Sequence, residues 1–126
     1  MTQRAASSAA YVGPNERSRA LATSTEWHEG YENLSDETRN FSRAVKSMQK
    51  ELEAVDGYNQ RAAVTKDPQL KKILEHHRDE EIEHAMMALE YLRRVSPVFH
   101  HHMRTYLFTD GEITEIEEEA GPAIET

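Results

Sequence analysis

DPQLKKILEHHRDEEIEHAMMALEYLRRV, residues Asp67 to Val95, is the stretch that decides the fold. Asp67 suits a helix cap, and Pro68 takes the first helical position, where its missing N–H is no loss. From there Leu70, Leu74, His77, Glu81, His84, Ala88, Tyr91 and Val95 recur at alternating steps of four and three. That spacing marks one face of an α-helix and predicts a helix from Pro68 to about Arg94. Ile82, Met86 and Leu89 form a stripe on another side, so this helix has more than one packing partner. In the middle of the main stripe three successive positions, His77, Glu81 and His84, are polar.

Upstream, Phe41, Val45, Met48, Leu52 and Val55 follow the same period. They predict a first helix with Ser35 as its cap, Asp36 and Glu37 in its first turn, and an end near Val64. Gly57 lies inside it, at a cost of about 1 kcal/mol relative to alanine. Thr65-Lys66-Asp67-Pro68 is a short break, so the two helices, each roughly 40 Å long, are antiparallel neighbours. Downstream, Ser96-Pro97 starts a shorter helix over about 97 to 108, with Val98, Met103, Tyr106 and Leu107. Asp110-Gly111 is a turn. A last short helix carries Ile113 and Ile116 before Glu117, Glu118 and Glu119.

Residues 1 to 33 show no apolar period and read as a flexible extension, a disordered tail rather than a transit peptide despite Arg4, Arg17 and Arg19. Trp27, Tyr31 and Leu34 can dock its end on the body. The expected organisation is therefore an extension (1–33), an all-α helical hairpin domain with short C-terminal helices (34–119), and a tail (120–126).

Composition bounds the function. In 126 residues, 37% are hydrophobic, 30% are charged, and the mean hydropathy is -0.82. Such a chain builds a thin core and gains from self-association or a metal. The absence of cysteine excludes disulfides and thiolate sites and fits a reducing cytoplasm. A net charge of -8 argues against nucleic-acid binding and for attraction of cations. No run is long and apolar enough to span a membrane.

The chemistry lies in Glu81 and His84, one turn apart on one face. With 18 glutamates and 7 histidines, chance alone supplies about one such pair, so position rather than the motif carries the weight. An unpaired carboxylate on a seam costs several kcal/mol, and a divalent cation offsets this. A water-filled seam, or a pairing of Glu81 with Arg43 or Arg61, remains open. Glu51 lies on the flank of the first helix and by pattern alone reads as solvated. Ligand counting restores it: di-iron carboxylate bundles take a glutamate from each of two helices and a Glu-x-x-His from each of two others. One chain supplies half of that set, so two copies would complete a four-helix bundle. Oxygen-rich ligation with one imidazole per metal suits iron or manganese. His100, His101 and His102 read as a surface cluster and His76 as exposed. His77 reads equally as a seam histidine or as a support for the ligands.

The segments Glu51–Asp56, Arg78–Met87, Leu89–Arg94 and Arg104–Thr109 closely resemble the encapsulated ferritins, and the resemblance runs over about residues 34 to 119. It implies a ferroxidase that oxidises iron(II) to iron(III) with O2 at an inter-subunit di-iron site, two irons per dimer, with Glu51, Glu81 and His84 as ligands. It further implies a ferritin-like four-helix bundle formed by a homodimer, a ring-shaped homodecamer, and residence as cargo inside a cytoplasmic encapsulin nanocompartment. The family's accessory acidic site, which takes calcium or other divalent ions, maps partly onto Glu53, and its tyrosine beside the iron falls on Tyr58. Gly57 stands where the family usually has tryptophan and Lys50 where an accessory glutamate is common. No Gly-Ser-Leu-type shell-docking peptide precedes Thr126, which implies either a shortened copy or another targeting segment. The competing expectation is a non-enzymatic, metal-stabilised helical assembly or adaptor protein.

Overall fold

A computed structural model describes residues 27–120, with side chains described as far as Glu117. The expectations for residues 1–26 and 121–126 lie outside the described residues. Four α-helices follow one another: α1 (Asp36–Val64), α2 (Pro68–Val95), α3 (Pro97–Tyr106) and α4 (Ile113–Ala120). No strand occurs among the described residues. Ahead of α1, Tyr31–Asn33 make one 3-10 turn, and Trp27 lies edge-on to Tyr31 with ring centroids 5.3 Å apart.

α1 has 29 residues and α2 has 28, and the two form a long hairpin. Glu51 meets His84, and Tyr58 meets His77. One index rises by seven as the other falls by seven, which is the register of antiparallel helices. Arg78 ties the pair by donating from Nη1 to Asn59 Oδ1 at 3.1 Å. The break between the helices is built as its residues dictate: Asp67 Oδ1 accepts the N–H of Leu70 at 2.8 Å, with Pro68 opening α2. Ser96 then repeats the device. It ends α2 and caps α3 by accepting the N–H of Phe99 at 3.2 Å. Phe99 rests edge-on against Phe41 of α1, centroids 6.0 Å apart.

α3 stops at Tyr106, short of the expected 108, because Leu107 is extended and Phe108 is left-handed at φ 60°. That conformation costs a non-glycine residue about 1–2 kcal/mol. Phe108 is fully exposed.

The stripe read from the sequence of α2 divides in two. The line turned toward the hairpin interior contains Leu74, Glu81 and Ala88, with Ala85 and Leu92 fully buried. Leu70, His77, His84 and Tyr91 are exposed and fall seven residues apart, so they share a second, outward line. Only Ala62, Ala85 and Leu92 are buried among the described residues, whereas Phe41, Val45, Leu52, Ile73, Ile82 and Met86 are each more than one-third exposed. A period of three and four cannot separate an inner face from an adjacent outer one when both carry apolar residues, and here both do.

Candidate metal centre

Glu51 comes from the middle of α1, and Glu81 and His84 come from consecutive turns of α2. Glu81 belongs to the inner line and His84 to the outer, so the group straddles the edge of the hairpin seam. His84 Nδ1 is 3.6 Å from Glu81 Oε2 and 3.8 Å from Glu51 Oε2. One ligand atom from each of the three lies within 4.8 Å of the others. The side chains of Glu51 and Glu81 are 29% and 24% exposed and that of His84 is 47% exposed. The group is therefore open on one side.

The donor set fits a metal. Two carboxylates and one imidazole, without thiolate, are the ligands that iron and manganese favour. Two carboxylates on one open face also attract any divalent cation. With one donor atom from each residue, the group fills half of a six-coordinate shell.

The other residues singled out by sequence lie elsewhere. Glu53 is exposed and outside the three-residue group. Tyr58 and His77 pack on each other edge-on, centroids 5.2 Å apart, and the Arg61 guanidinium lies 5.0 Å over the Tyr58 ring. Arg61 thus meets an aromatic face rather than Glu81. His76 is exposed and pairs with Glu80 at 2.9 Å.

The reading of the triple histidine as a plain surface cluster needs correction. His100 is half-buried, and Arg93 Nη1 lies 2.9 Å from its Nδ1. Arg93 also donates from Nε to both carboxylate oxygens of Glu90, at 2.8 Å to Oε2. This hydrogen bond holds the Glu90 carboxyl below the ordinary carboxylate range, helped by the charges of Arg93 and Arg94. The same bond raises Arg93. Glu90 and Arg93 stand three apart, a spacing visible in the sequence. Their link to His100 crosses the Ser96-Pro97 bend and leaves no periodic signal.

A family model described as EncFtn-like matches residues 26–110. The chain belongs to the EncFtn-like family. It is 54% identical over 94 residues to a "Ferritin-like protein" of Thermotoga maritima, covering 75% of this chain and 82% of that one. It is also 54% identical over 95 residues to an "Encapsulated ferritin-like protein" of Rhodospirillum rubrum, covering 75% and 68% respectively. Among solved structures, that of protein ne0167 from Nitrosomonas europaea superposes with a TM-score of 0.68 at 53% identity, over 69% of this chain and 96% of the other. This EncFtn-like chain thus shares with its relatives the stretch that holds all three metal-capable side chains. No helix among its described residues is long and apolar enough to cross a membrane.

Proposed function

We propose that this protein is a ferroxidase whose iron site forms between two chains. The observation that carries the reading is the convergence of Glu51, Glu81 and His84 on an open face, beside a helix line of exposed Leu70, His77 and Tyr91. A second hairpin laid against that line covers apolar surface and brings its own three donors, giving four carboxylates and two imidazoles. That is the ligand set of a di-iron four-helix bundle.

In this account two iron(II) ions are the substrate. Glu51, Glu81 and His84 of the two chains would hold them, each chain supplying two carboxylates and one imidazole. Carboxylates bind iron(III) more strongly than iron(II), which lowers the potential and favours loss of an electron from each ion to O2. Glu53 lies on the accessory path of incoming cations, and the Tyr58–His77 pair sits about two helical turns from the site, where it holds the same two helices together. The dimers build a ring-shaped decamer that serves as cargo of an encapsulin shell in the cytoplasm. Membership in the EncFtn-like family and the name of the Rhodospirillum rubrum relative support the encapsulated-cargo part of this reading.

The test is iron(II) oxidation in air, followed by ultraviolet absorbance, for the parent, Glu81→Ala and His84→Ala. The proposal expects oxidation faster than buffer in the parent and the buffer rate in both variants. Parent-like rates in either variant, or binding of iron(II) without oxidation in the parent, would overturn it; the latter outcome would favour the assembly protein.

A further inference from the structure

A second polar cluster lies on α3, apart from the carboxylate–histidine group. His100, His101, Arg104 and Thr105 line an open cleft of about 320 Å³. The chain carries a net charge of -8, yet among the described residues no carboxylate lines this cleft. We infer that it is an oxyanion site that takes a phosphate group.

The hydrogen-bonding roles of the lining residues support this. A guanidinium only donates, so His100 Nδ1, 2.9 Å from Arg93 Nη1, must accept. The ring proton is therefore on Nε2, and the nitrogen left free is a donor. Thr105 commits its hydroxyl proton to the His101 carbonyl at 3.0 Å. The donors left for a ligand are thus the two imidazoles and Arg104.

Arg104 is itself unusual. The other arginines of the described residues each meet a carboxylate, an amide or an aromatic ring. Among the described residues Arg104 has no such partner. A planar guanidinium with its fork of donors unengaged matches a phosphate face, and charge-assisted bonds of this kind are among the strongest available. Behind it, Arg93 fixes the His100 ring and is itself fixed by Glu90. The cleft is roomy enough for a free anion with its water or for a phosphate carried on a small organic molecule.

Calorimetric titration of the full, metal-free protein at constant ionic strength tests this. The probes are inorganic phosphate, ribose 5-phosphate and acetate, with Arg104→Gln, His101→Ala and the control Arg94→Gln. Circular dichroism establishes that each variant keeps its helix content. The expected result is saturable phosphate binding, weakened about tenfold or more in Arg104→Gln and His101→Ala, unchanged in Arg94→Gln, and at least about tenfold tighter than acetate. Tighter binding of ribose 5-phosphate points to an organic phosphate, and equal or weaker binding to the free anion; either supports the site. No saturable heat, acetate binding as tight as phosphate, parent-like binding by Arg104→Gln, or equal loss in Arg94→Gln would overturn it.

Discussion

His84 Nδ1 and Glu51 Oε2 stand 3.8 Å apart although 33 positions separate them in the chain and they belong to different helices. The register of the hairpin creates this proximity. Replacing Glu51 by alanine should therefore weaken iron(II) binding by at least about tenfold while leaving the helices intact, because Glu51 is only half-buried and holds no part of the core. Anaerobic iron(II) titration and circular dichroism measure the two effects separately. Loss of helix together with binding would mean that the glutamate is a structural residue instead.

The core is so small that its few members are individually important. Ala85 is 0% exposed and Leu92 is 1% exposed. Leu92→Ala should cost about 2–5 kcal/mol through lost burial and a cavity. Ala85→Leu should cost about 1–3 kcal/mol by forcing the helices apart. Denaturant unfolding checks both, against a substitution at exposed Val64 that should change little.

Glu90 gives the junction of α2 and α3 an acid limb. Its carboxyl is held below 4.5 in the folded chain by the hydrogen bond from Arg93. A group whose folded pKa is depressed stabilises the fold above its unfolded value and loses that contribution as pH falls through the folded one. The contribution should be complete at pH 7 and gone well below pH 4.5. Thermal melts at neutral and strongly acid pH should show a smaller acid loss for Glu90→Gln than for the parent, with the variant the less stable of the two at neutral pH.

Gly57 has room for a methyl group. A Cβ built there would meet Arg61 Nη2 at 3.3 Å, the end of a flexible side chain that can move. Gly57→Ala should stabilise α1 by about 0.5–1 kcal/mol through helix propensity. A raised melting midpoint would agree; a lowered one would show that Arg61 must stay over Tyr58.

Much of this was legible in the sequence. Asp67-Pro68 and Ser96-Pro97 announced both helix junctions through cap chemistry that acts locally, and the structure builds both as written. Glu81 and His84 stood out because polar side chains interrupted an apolar period. Glu51 did not, since a flank position acquires meaning only from the helix that packs beside it. The stripe containing His84 read as one seam but became two lines, because adjacent faces of α2 both carry apolar residues and only pairing with α1 selects between them. His100 was hidden for a similar reason: its partner Arg93 lies across a bend, where helical spacing no longer predicts neighbours.

The central claim is that the iron site is completed by a second copy of the chain. Native mass or sedimentation equilibrium with and without iron(II), combined with metal counting on the same sample, tests it most directly. The account predicts dimers or multiples of dimers carrying about one iron per chain in the catalytic group. A monomer that binds and oxidises iron at the full rate would contradict it.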